Sequence, residues 1–157
     1  MSGARMILPE VGALARSGQP SDPYALAIGV GFRKACSHDV LAAIIEKALR
    51  SLIAVHPAMA GSPAIIATIA EKDRPVLHRA AAALGLPVTI LDKQLLASME
   101  DRITVPSSAA RTCFGISSVA EASALAAAGP GSRLLVARIS VPDATCAIAA
   151  AAVLEAA

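Results

Sequence analysis

Apolar positions in this chain fall into two patterns, continuous runs and helical stripes, and their alternation is the first clue to its architecture. From Tyr24 to Gly31 the chain is almost wholly apolar, and Ala64 to Ala70 repeats the pattern. Runs of this kind suit strands buried on both faces of a parallel sheet. Between them Val40, Leu41, Ile44, Ile45, Ala48, Leu49 and Leu52 recur at helical spacing, with Ser37 placed to cap the helix and Asp39 in its first turn. Glu46 and Arg50 stand at i and i+4 on the charged face, a spacing for local helix support. Pro57, Gly61 and Pro63 then mark the turn before the second run.

The pattern continues with Glu71-Lys72-Asp73-Arg74 at the second strand's exit. Asp73 is placed to cap the next helix, Pro75 is suited to its first turn, and Gly85 with Pro87 stops it. Pro87 to Leu91 predicts a short third strand, Asp92 to Met99 a short helix, and Ile103 to Pro106 an extended piece. Ser107 to Phe114 has room for one or two helical turns. Ser118-Val119-Ala120-Glu121 matches a capping box, which assigns Glu121 a structural duty, and the helix runs to Gly129-Pro130. Leu134 to Ile139 and Ala144 to Ala149 predict a hairpin turning at Pro142-Asp143. A strand–helix–strand core plus a hairpin gives an α/β fold: a three-layer α/β/α sandwich with a mixed, mostly parallel sheet and a C-terminal hairpin. Residues 1–23 carry Gly, Pro and Ser without sustained periodicity and are expected to form a loose arm before a single domain over 24–157. The alanine-rich tail from Ala150 to Ala157 suits either a longer strand or a frayed helix.

Composition narrows the function. The 157 residues are 55% hydrophobic but only 2% aromatic, with no Trp, so the core is built from Ala, Leu, Ile and Val and base-stacking surfaces are lacking. A net charge of +2 is too small for a nucleic-acid footprint. Cys36, Cys113 and Cys146 are far apart and form no C-x-x-C pair, which argues against a disulfide framework or a zinc site and fits a reducing cytoplasm. The uncharged stretch from Ser51 to Ala70 is broken by prolines and a glycine, so no membrane span is expected. No cofactor and no metal site are expected.

The chemistry gathers after the first strand, at Gly29-Val30-Gly31-Phe32-Arg33-Lys34-Ala35-Cys36-Ser37. Two glycines permit a sharp turn and close ligand approach, the next helix start offers free N–H groups, and Arg33 and Lys34 add charge. At the carboxyl end of a strand in an open α/β sheet, such a corner suits a phosphate or carboxylate. The third glycine of a dinucleotide fingerprint and the Lys-Ser pair of a P-loop are missing, and the glycines could equally just let the chain leave the strand. Arg33, Lys34, Lys72 and either Arg111 or Arg138 are the cations that could converge at this end of the sheet. A catalytic reading uses the Cys36 thiol or the Ser37 hydroxyl as nucleophile beside His38, or Glu71 as general base for water. His56 and His78 show no metal-ligand spacing with His38.

Taken together, the glycine corner, Ala67-Thr68-Ile69-Ala70-Glu71-Lys72, Leu84-Gly85-Leu86-Pro87, Gly115-Ile116-Ser117-Ser118-Val119-Ala120-Glu121-Ala122, and the closing Leu134-Leu135-Val136 and Ala144 to Ala149 strands resemble one family. It is the stand-alone CobE family of cobalamin (vitamin B12) biosynthesis proteins, similar to the C-terminal domain of the cobalt-precorrin-5A hydrolase CbiG. The resemblance spans roughly Ala25 to Ala149. Arg138 stands where the family often has lysine. The resemblance implies a domain that binds or hands on a corrin-ring or precorrin intermediate, in the aerobic branch, with other enzymes of the pathway as partners. The residues expected to contact the ligand are Gly29, Gly31, Arg33, Lys34, Ser37, Lys72, Ser117, Ser118 and Arg138. The alternative is a small hydrolase or isomerase acting on a precorrin, because the two-domain relatives are expected to open a ring lactone and release acetaldehyde. The short segment before Tyr24 leaves no room for their other domain, which disfavours the hydrolase label. A nucleotide-binding module is a third reading.

Overall fold

The structure, a computed structural model, describes residues 25–107 and 115–151. It is a five-stranded sheet between two helical layers. β1 (Leu26–Phe32), β2 (Ala64–Ile69) and β3 (Val88–Leu91) are parallel neighbours. β5 (Ala144–Ala150) runs antiparallel to β1 on its other side and pairs with β4 (Arg133–Val141), giving the order β3-β2-β1-β5-β4. The expected α/β fold with a mixed sheet and a C-terminal hairpin is what the chain adopts. Only β5 opposes the common strand direction among the described strands.

α1 (His38–Val55) and α2 (Pro75–Leu84) cover one face of the sheet. There Ile28, Val30 and Phe32 pack with Leu41, Ile44, Ile45 and Leu77. α4 (Val119–Ala128) covers the other face, with α3 (Lys93–Ala97) at its side. α4 is apolar or small nearly all round, and Val119 to Leu125 are all buried, as expected for a helix in the middle of a domain. Its Ala120 comes so near β1 that a Cβ on Gly29 would lie 1.8 Å from the Ala120 carbonyl oxygen. Gly29 is thus a helix–sheet packing residue. This corrects its assignment to a ligand turn. The strand continues through both glycines to Phe32, and the chain turns afterwards, where Cys36 N donates to Arg33 O at 3.0 Å.

The helix ends follow local chemistry with one exception. Ser37 Oγ accepts from Val40 N at 3.2 Å, and Gly85 closes α2 at φ 70°. Asp73, however, does not cap α2. Arg74 occupies that position without a side-chain cap, while Asp73 pairs with His78 at 2.6 Å, after the 3-10 turn Ala70–Lys72. Glu46 and Arg50 make no ion pair among the described residues. The helix expected over Asp92 to Met99 is limited to Lys93–Ala97 and followed by the 3-10 turn Glu100–Arg102, while Ile103 to Pro106 forms no strand. The expected arm, Tyr24, the turns over 108–114 and the tail beyond Ala151 lie outside the described residues.

Candidate functional site

β1 and β2 deliver their carboxyl ends to the same edge of the sheet, and antiparallel β5 brings the hairpin turn there, pairing Ala144 with Phe32. α4 starts at that edge. A cavity of about 480 Å³ lies between these parts. Phe32, Val119, Val141 and Pro142 give it apolar walls, while Arg33, Lys72 and Arg138 bring positive charge against Asp143, the one acid among the described lining residues.

Each cation is held differently. Lys72 is only 9% exposed; its Nζ donates to the Phe32 carbonyl and stands 5.5 Å from the Phe32 ring centroid. A carbonyl and an aromatic face stabilise the ammonium at a site poor in water. Arg138 lies along the rim, where its Nε donates to Val105 O at 3.0 Å, Nη2 to Pro106 O at 3.3 Å and Nη1 to Ser140 Oγ at 3.3 Å. Arg33 is exposed and its guanidinium has no partner among the described residues. Its backbone N donates to Asp143 O at 2.9 Å and so fastens the hairpin turn to the end of β1. Ser118 Oγ accepts from Glu121 N at 3.0 Å and caps α4, whose positive end thereby faces the cavity. Gly31 lines the same wall, where a Cβ would stand 2.9 Å from Thr145 Oγ1 and 3.7 Å from Val119 Cβ.

The structure therefore brings together Gly31, Arg33, Lys72, Ser118 and Arg138. Other sequence candidates are placed elsewhere. Gly29 packs under α4, Ser37 caps α1, and Lys34 is exposed outside the cavity lining. Ser117 is buried, donating through its backbone N at 3.0 Å and through its hydroxyl to the Glu100 carboxylate. Cys36 is buried too, with Sγ donating to Ser37 O at 3.4 Å. Burial, and then the Asp143 charge, push its thiol pKa up, so the nucleophilic thiolate is disfavoured. His38 Nε2 sits 3.3 Å from Asp39 Oδ1. Glu71 is paired with Lys93 at 2.6 Å, and that hydrogen bond holds its carboxyl below the usual range, away from the pKa of a general base. Arg111 lies outside the described residues. No group of His, Cys, Asp or Glu among the described residues is arranged to hold a metal. No described helix is long and apolar enough to cross a membrane.

The main residue that sequence reasoning misplaced is Glu121. It is 0% exposed, and its carboxylate does not return to the helix start as a capping box requires. Oε1 accepts from Thr104 N at 2.6 Å and Val105 N at 3.2 Å; Oε2 accepts from Thr104 Oγ1 at 2.9 Å and Arg138 N at 2.8 Å. The available signal was one acid inside a helix otherwise made of Val, Ala, Ser and Leu. Asp143, Ser140 and Thr145 also line the cavity and were legible only as hairpin residues.

Comparison with known proteins shows the family of this chain. The family model described as "Cobalamin synthesis G C-terminus" matches residues 26–149. No curated protein sequence matches the chain significantly. Among solved structures, CobE, a protein from the cobalamin (vitamin B12) biosynthetic pathway, is 35% identical, with a TM-score of 0.69 over 80% of this chain and 89% of its own. The cobalamin biosynthesis protein chiG from Agrobacterium tumefaciens is 30% identical, with a TM-score of 0.56 over 80% of this chain and 98% of its own. The chain belongs to the cobalamin synthesis G C-terminus family and is a CobE-like protein of cobalamin biosynthesis.

Proposed function

We propose that this protein binds a corrin-ring intermediate in the aerobic branch of cobalamin biosynthesis and hands it on. The cavity at the carboxyl ends of β1 and β2 would hold one edge of the ring. The observation that carries the reading is the convergence of Arg33, Lys72, Arg138 and the α4 N-terminus on one apolar-walled cavity. A corrinoid intermediate has a flat apolar ring edged with acetate and propionate arms, so it needs apolar contact and several cations at once. Exposed ion pairs contribute only about 0.2–1 kcal/mol each. Ring burial at about 25 cal/mol per Å² supplies much of the rest.

Binding is favoured over hydrolysis because Cys36, His38 and Glu71 are not among the cavity-lining residues. The test is a spectroscopic titration with hydrogenobyrinic acid and precorrin intermediates, followed by gel filtration. Saturable co-elution with an unchanged ligand is the expected result. A new product spectrum would point to an enzyme, and no band shift with any corrinoid would overturn the reading.

A further inference from the structure

Glu121 is a fully buried carboxylate that does not line the cavity, yet it bonds Arg138, which does, and Thr104 and Val105, which lead into the lining residue Ser107. Through Oε1 it holds the backbone of Thr104 and Val105; through Oε2 it holds the backbone N of Arg138 on β4. The Arg138 side chain closes the loop by donating to Val105 O and Pro106 O. Ser107, next along this rim, lines the cavity and donates its backbone N to Ser117 O at 2.7 Å, directly before the α4 cap. One carboxylate thus braces α4, the rim segment 104–107 and β4 against one another. Leaving such an acceptor set without its donors in a buried site costs far more than a surface contact, so the brace has a narrow range of geometries.

We infer that Glu121 is the positioning residue of the anion site: by fixing the backbone of Arg138 and the carbonyls its guanidinium rests on, it sets where that guanidinium meets a carboxylate. This rests on the binding reading above. The partition of donors makes the inference specific. A glutamine here keeps the shape but must turn an NH₂ group toward one of the two donor pairs. The Thr104 hydroxyl can rotate to accept from it, whereas the Arg138 N–H cannot. Glu121→Gln therefore releases Arg138 first.

The experiment is a double-mutant cycle on hydrogenobyrinic acid affinity, read by absorption titration and accompanied by amide exchange of the unliganded protein. Glu121→Gln is expected to weaken binding about tenfold in the wild-type and Arg33→Ala backgrounds, and less than about twofold in Arg138→Ala, whose guanidinium is already gone. Exchange should accelerate at the Arg138 amide, and acceleration at Thr104 and Val105 in its place would overturn the inference. Thr104→Val, which keeps both backbone donors, supplies a milder variant should Glu121→Gln fail to fold; its smaller loss should also vanish in Arg138→Ala. Equal losses in every background, or unchanged affinity with unchanged exchange, would overturn the inference. Accelerated exchange in Glu121→Gln, together with a wild-type chain that binds no corrinoid, would overturn the binding reading and the positioning role, leaving only a structural brace.

Discussion

Gly29 and Gly31 stand two residues apart on the same face of β1 and do different things. At Gly29 an added methyl group would meet the Ala120 carbonyl oxygen at 1.8 Å, an atom fixed in the α4 backbone. At Gly31 it would meet the Thr145 hydroxyl at 2.9 Å, which can rotate away. Gly29→Ala should therefore destabilise by about 3 kcal/mol in a urea melt, and Gly31→Ala by about 1, because overpacking costs most where the neighbour cannot give. The spacing of the two glycines was plain in the sequence. That one of them answers to a helix some ninety residues later was not, because nothing local encodes the contact. Glu121 failed for the same reason: a capping box is a local pattern, and Thr104 and Arg138 reach the carboxylate from outside it. Burial also shapes the thiols. Cys146 is fully buried, and burial pushes its thiol pKa well above the ordinary value, so the folded state keeps a proton that the unfolded chain gives up first. That stability is fully present below about pH 9 and is lost as pH rises. Replacing Cys146 with Ala should flatten the alkaline fall in stability by up to about 1.4 kcal/mol per pH unit, measured by denaturant melts against the parent protein.

At the level of elements, two capping serines differ in their surroundings. Ser37 serves Val40 N and lies outside the cavity, so Ser37→Ala should lower stability by about 1 kcal/mol and leave corrinoid affinity unchanged. Ser118 both caps α4 and lines the cavity, so Ser118→Ala should lower both, by a similar stability loss and by weakened binding. Melting curves and the absorption titration distinguish the two cases. The long elements were legible because their patterns persist: the stripe on α1 and the apolar runs of β1 and β2 point to what the structure contains. The short pieces between Asp92 and Pro106 were not. There the fold is set by Glu100 reaching Ser117 and Glu121 reaching Thr104, contacts that determine the chain's path without leaving a periodicity.

At the level of the molecule, the antiparallel return of β5 shapes the candidate site. It places the hairpin turn beside the carboxyl end of β1, opposite α4, so that Arg138 joins cations that follow β1 and β2. The sequence predicted the hairpin and an anion corner separately; their meeting depended on β5 pairing with β1, which pattern alone leaves open. The proposed binding mode requires this edge to recognise carboxylate arms. Its most direct measurement compares affinity for hydrogenobyrinic acid with affinity for a corrinoid whose arms are amides, in the wild-type protein and in the Arg33→Ala, Lys72→Met double variant. The account predicts a clear preference for the acid in the wild type, and a preference at least about tenfold smaller in the variant, as expected when a buried charge-assisted contact worth about 1.5–3 kcal/mol is lost together with an exposed one. Equal affinity for acid and amide in the wild type, or a preference untouched in the double variant, would contradict it.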